Sequence, residues 1–109
     1  MLTWEQFEAV DIRVGTVIEA KEFLKARKPA YQLWIDFGEL GIKKSSAQIT
    51  DLYSMENLVG QQILAVVNFP PKQVANFISE CLVLGVYSEN NNVILIQPHL
   101  SALNGSRVV

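Results

Sequence analysis

The sequence predicts an all-β protein, a five-stranded barrel of the OB type, on three observations. Short runs that alternate apolar and polar residues recur along the chain. Gly, Pro and Asn punctuate them, and one short helical pattern falls between the third and fourth runs. A helix before the first strand and a strand after the fifth are additions to that barrel. With 109 residues, 50% of them hydrophobic, the chain is long enough for one domain with a core and too short for two, so the unit is taken as residues 1–109.

Thr3-Trp4-Glu5-Gln6 predicts a capping box, in which the Thr3 hydroxyl and the Gln6 amide satisfy free backbone N–H groups at a helix start. Trp4 and Phe7 then share one face of that opening helix. From Asp11 the period changes to two: Ile12, Val14 and Thr16 alternate with Arg13, Gly15 and Val17, with the glycine where a bulge is cheap. The run from Lys21 to Pro29 is charged and closed by a proline, which predicts an exposed loop. In the second strand Tyr31, Leu33, Ile35 and Phe37 point one way, while Gln32, Trp34 and Asp36 point the other.

Gly38 and Gly41 bracket a turn before a third strand, Ile42 to Ile49. Tyr53, Met55 and Leu58 fall at roughly helical spacing and Gly60 suits the left-handed residue after a helix end. Gln61 to Phe69 and Glu80 to Tyr87 are predicted as the fourth and fifth strands, their centres apolar on both faces. Phe69-Pro70-Pro71 must end the fourth strand, because proline donates no ladder hydrogen bond and restricts the residue before it. Residues 70–79 are therefore read as a long connection. Ser88 to Asn92 is a turn by composition, Val93 to Ile96 a further strand, and Asn104-Gly105 a hairpin-type turn in the tail. The apolar terminal helix and last strand are expected to be buried against a second copy, which predicts a two-fold homodimer.

Nine Lys and Arg against eleven Asp and Glu give a net charge of −2, which argues against coating nucleic acid by charge alone. The lone Cys81 cannot form an internal disulfide, so a reduced, intracellular setting is expected. Glu5, Gln6 and Glu8 interrupt the opening apolar residues, against a signal peptide, and no window approaches the roughly 20 apolar residues of a membrane span. The expectation is a cytoplasmic protein without membrane insertion. A single histidine, His99, lies far in sequence from Cys81. No phosphate loop, nucleophile elbow or zinc-type spacing occurs, which predicts no enzyme, no cofactor and no metal.

Charge distribution is more informative than its sum. Residues 21–44 hold Lys21, Lys25, Arg27, Lys28, Lys43 and Lys44 against Glu22, Asp36 and Glu39, and the rest of the chain is acidic. Lys43, Lys44, Ser45, Ser46 and Gln48 load the third strand with polar groups, costly inside a core and natural on a strand that faces a ligand. Asn68, Lys72, Asn76 and Ser79 surround the Pro-Pro connection with short polar side chains fit to contact phosphate or base edges. Together, Lys43, Lys44, Ser45, Ser46, Asn68, Lys72, Asn76 and Ser79 are the candidate ligand-binding residues.

Four motifs stand in one order across the chain: Asp11-Ile12-Arg13-Val14-Gly15, Lys44-Ser45-Ser46-Ala47-Gln48-Ile49, Asn68-Phe69-Pro70-Pro71-Lys72, and Ser79 ahead of Leu82-Val83-Leu84-Gly85. In these the chain resembles the tRNA-binding OB domain, in its secretion-chaperone-like CsaA branch, nearly end to end. The resemblance implies a homodimer joined through the terminal helix and C-terminal strands. It implies kinship with the domain appended to some methionyl-tRNA synthetases, and binding roles for Lys44, Ser45, Asn68, Lys72 and Ser79. Asn76 stands where the family usually has glycine and is the next best residue for a left-handed backbone. Leu82 replaces a family methionine, and Lys44-Ser45-Ser46 replaces a Val-Ser-Gly stretch of the tRNA-binding branch. The departures favour a chaperone that binds unfolded or exported polypeptide. The alternative is a tRNA-binding protein that recognises structured RNA through a basic face.

Overall fold

The computed structural model describes residues 1–109. Helix α1, Trp4–Ala9, begins with the expected box: the Gln6 N–H donates to Thr3 Oγ1 at 3.1 Å and the Thr3 N–H to Gln6 Oε1 at 2.9 Å. Strand β1, Ile12–Glu22, is long enough to pair with two neighbours. Its first half runs antiparallel to β4, Gln62–Val66, and its second half to β2, Tyr31–Asp36. Strand β3, Ile42–Ala47, pairs with β2, and β7, Leu82–Val83, pairs with β4. The sheet order is thus β3-β2-β1-β4-β7, a five-stranded antiparallel sheet curled into a nearly closed, OB-like barrel.

Alternation decides what the barrel encloses. Tyr31, Leu33, Ile35 and Phe37 are all buried, joined by Val17, Ala47, Ile49, Ile63, Ala65 and Cys81 in one core. Helix α2, Met55–Leu58, plugs one end with Leu58, which is fully buried, and Gly60 follows at φ +93°, the left-handed residue that ends the turn. Gly15 serves packing rather than a bulge. A Cβ there would stand 2.5 Å from Ile35 and 2.7 Å from Phe37, and the register slip in β1 falls instead between Val17 and Glu19.

Three expectations need correction. Residues 70–79 are not a plain connection but a hairpin, β5, Lys72–Val74, paired with β6, Phe77–Ser79. Its left-handed turn residue is Ala75, at φ +50°, and not Asn76. The predicted fifth strand is two: β7 keeps to β4, and β8, Gly85–Tyr87, turns away to pair with β9, Val93–Leu95. Leu84 is the pivot, since its N–H donates to Leu64 O and its carbonyl accepts from Ile96. The tail returns past Asn104-Gly105 to lie along β1, where Ser106 O accepts from Val14 and Gly105 N donates to Val14 O. No helix is long and apolar enough to cross a membrane.

Candidate functional site

The two faces of β3 have different fates, because successive side chains of a strand point to opposite sides. Ser45 and Ala47 point into the barrel, and half-buried Lys43 shares their parity. Ser45 is 1% exposed and its hydroxyl donates to Cys81 O at 3.1 Å, so that side chain is engaged inside the barrel and offers no surface. Burial also pushes the Cys81 thiol up to about 12, which leaves it protonated and unreactive. Lys44 and Ser46 point outward, under the β5–β6 hairpin.

That hairpin seats on a second, smaller apolar cluster outside the barrel. Phe77 packs against Phe23 and Trp34, with ring centroids 5.5 Å and 5.8 Å apart. Lysine ammonium groups lie over these faces, Lys21 at 5.2 Å from Trp34 and Lys44 at 5.0 Å from Phe77, a cation–π arrangement that holds both amines beside the aromatic cluster. The hairpin is also stitched to β3. Ser46 N donates to Ser79 Oγ at 3.1 Å, Lys44 N to Glu80 Oε1 at 2.9 Å, and Glu80 N to Lys44 O at 2.7 Å.

Of the candidate residues, the structure brings Ser46, Lys72 and Ser79 together. They line one hollow of about 390 Å³ with Gln48, Phe69 and Leu82. Lys44 borders the same hairpin through Glu80. Lys43 belongs to the opposite face, and Asn76 is exposed at the hairpin tip. Asn68 has a structural role: its Oδ1 accepts from Asp11 N at 3.1 Å and its Nδ2 donates to Ala9 O at 2.8 Å, tying the end of α1 to the end of β4. Beside it the Arg13 guanidinium, 2.6 Å from Asp11, holds that carboxyl below the usual range.

Ser46 and Gln48 also line two further hollows, of about 580 Å³ with Arg27, Lys28 and Val74, and about 670 Å³ with Lys28, Asp51, Leu82, Tyr87 and Val93. The end of β3 is thus where three hollows meet. Gln48 was visible as a polar strand residue, and Arg27 and Lys28 as part of a basic run. Phe69 and Tyr87 carried no signal of their own, because their place depends on how distant hairpins fold back. No three His, Cys, Asp or Glu side chains gather as metal ligands do.

A family model described as "Putative tRNA binding domain" matches residues 12–107. Among solved structures, the chaperone CsaA of Bacillus anthracis str. Ames is 56% identical, with a TM-score of 0.94 over 100% of this chain and 99% of that one. The CsaA chaperone protein of Picrophilus torridus is 48% identical, with a TM-score of 0.94 over 100% of each chain. The methionine–tRNA ligase of Methanococcoides burtonii is 31% identical over 98 residues, 90% of this chain but only 14% of the ligase.

Proposed function

Because this chain belongs to the tRNA-binding domain family, we propose that it is a non-catalytic binding module of the CsaA type, a chaperone that holds unfolded polypeptide, including segments bound for export. It acts in the cytoplasm as a homodimer. The observation that carries this reading is the match at 56% identity to a chaperone CsaA over the full length of this chain. The site supports it: the hollows around Ser46 and Gln48 combine apolar walls from Phe69, Leu82, Tyr87 and Val93 with polar groups at their meeting point. Leu100, Leu103, Trp4 and Val109 are more than three-quarters exposed near the two chain ends, apolar surface that pairing through α1 and the C-terminal region would cover. Mixing the protein with a chemically unfolded client on dilution from denaturant is the test. Suppressed aggregation is expected, and unaltered aggregation at an excess of this protein overturns the reading.

A second reading, tRNA binding, draws on the family match and on the exposed cations Arg27, Lys28 and Lys72 around the hollows. Phosphate contacts release counterions, so affinity for tRNA would fall steeply with salt while apolar polypeptide binding would not. A Lys28→Glu, Lys72→Glu double variant that binds tRNA as well as the unaltered protein sinks this reading.

A further inference from the structure

The barrel does not close along β3 by strand pairing alone. In an antiparallel pair, alternate residues turn their N–H and C=O toward the partner strand, and the residues between turn theirs to the open edge. On β3 the edge residues are Lys44 and Ser46, because both engage groups outside the β2 ladder. The Lys44 N–H meets the Glu80 carboxylate and the Ser46 N–H meets the Ser79 hydroxyl. Two side chains therefore stand where a neighbouring strand would put its carbonyls.

Past Ser46 these stand-ins stop. Strand β3 ends at Ala47, but burial goes on alternating, with Gln48 exposed between buried Ala47 and Ile49. The Gln48 N–H thus continues the edge, and it has no hydrogen-bond partner in the chain. The Ser46 carbonyl has only a long 3.4 Å contact from the Ser45 hydroxyl. The Gln48 side-chain amide is exposed and unbonded too. A short stretch of bare strand edge thus opens where the three hollows meet, and such an edge is a template for another extended chain.

We propose that this edge, Ser46 to Gln48, binds an extended segment of another polypeptide by main-chain pairing, adding a strand to β3. The proposal rests on the chaperone reading and deepens it by naming the mode. Side chains of the added segment on one face would enter the hollows lined by Leu82, Tyr87 and Val93 or by Phe69 and Leu82. Arg27, Lys28 and Lys72 are exposed, enter no ion pair, and outnumber the two carboxylates that line the same hollows, Asp51 and Glu80. The fitting segment is accordingly neutral or acidic. RNA lacks the alternating donor and acceptor at strand spacing that this edge would match. Main-chain recognition also explains how a chaperone can take clients of unrelated sequence, since the pairing groups are the same in all of them.

The experiment measures anisotropy of a fluorescein-labelled peptide that alternates Val with Ser or Glu, against the full-length protein. Gln48→Pro removes the edge N–H where proline is tolerated, and Gln48→Ala keeps it while removing the side chain. Gln48→Pro is expected to bind roughly tenfold more weakly than Gln48→Ala, which lacks the same side chain and differs in keeping the N–H. N-methylating the peptide backbone should weaken binding at every second residue only, the period of a paired strand. Equal binding by Gln48→Ala and Gln48→Pro, with N-methylation tolerated throughout, overturns edge pairing and leaves the chaperone reading standing. No peptide binding by the unaltered protein, together with no suppression of client aggregation, overturns both. Should Gln48→Pro unfold, the N-methylation series on the unaltered protein decides alone.

Discussion

Two apolar clusters of this molecule are built from the same kinds of residue and do different work. Inside the barrel, Leu33, Ile35, Phe37 and Ile63 are fully buried, Leu33 and Ile35 on a strand paired on both sides and Phe37 just past its end. Outside it, Phe23, Ala30 and Phe77 form a smaller cluster that pins a two-stranded hairpin and a charged loop to the outer faces of β2 and β3. The inner cluster has no alternative arrangement short of unfolding the sheet. The outer one can come apart while the barrel persists, because its hairpin pairs only with itself and reaches β3 mainly through the side chains of Ser79 and Glu80. Stability therefore resides in the first cluster, and the second shapes the candidate site.

The comparison breaks most directly at Leu33. Leu33→Ala leaves a cavity among side chains that cannot collapse, and is expected to cost about 2–5 kcal/mol in urea unfolding. A loss under about 1 kcal/mol would mean the barrel interior is looser than its burial implies. Phe77→Ala removes a whole aromatic ring, more than Leu33→Ala removes, from the outer cluster. Its expected loss is smaller, about 1–3 kcal/mol, because the hairpin can detach without opening the sheet. Peptide binding should fall sharply in this variant at temperatures where circular dichroism still reports a folded barrel. If instead unfolding and binding are lost together, the two clusters are one cooperative unit.

Adjacent serines give a finer cut. Ser45→Ala deletes the hydroxyl that satisfies Cys81 O inside the barrel, and should cost about 1 kcal/mol with binding unchanged. Ser46→Ala deletes a hydroxyl on the outward face while its backbone N–H still meets Ser79, so stability should hold within about 0.5 kcal/mol. Any effect of that variant should appear in ligand affinity, measured by the same peptide titration.

This serine pair also shows where the sequence was legible. The alternation of Tyr31, Leu33, Ile35 and Phe37 states a half-buried strand outright, and Thr3 with Gln6 states a helix start, since in each case the signal and its cause are local. Five polar residues in Ile42 to Ile49 correctly marked an unusual strand. They did not say which side chains faced out, because the polar Ser45 finds its partner at Cys81, 36 residues away. The hairpin of β5 and β6 was hidden for a different reason. Three-residue strands are too short to display a period, and its turn uses Ala75, a residue with no turn preference. Asn68 reads in the sequence as a ligand-binding amide, whereas in the structure Asp11 and Ala9 engage both of its ends.

Asp11 gives the smallest effect and the one that separates a third region from both clusters. Its carboxylate accepts from the Arg13 guanidinium at 2.6 Å and lies 3.6 Å from Arg107, which joins β1 to the returning C-terminal tail. The hydrogen bond from Arg13 lowers its pKa below the ordinary 3.8. A carboxyl depressed in the folded state stabilises above the unfolded value, and that contribution fades as pH falls through the lower folded one. Stability should thus be flat in this group's share near neutrality and decline in acid below about pH 4. Asp11→Asn, which cannot ionise, should narrow its gap to the unaltered protein as pH is lowered, read from urea midpoints at each pH. Since the clasp joins the chain ends and touches neither the Phe77 cluster nor the β3 edge, peptide affinity near neutral pH should be the same in both proteins. A weaker peptide complex for Asp11→Asn at neutral pH would show that the terminal region reaches the site, and the division between barrel and groove would have to be redrawn to include it.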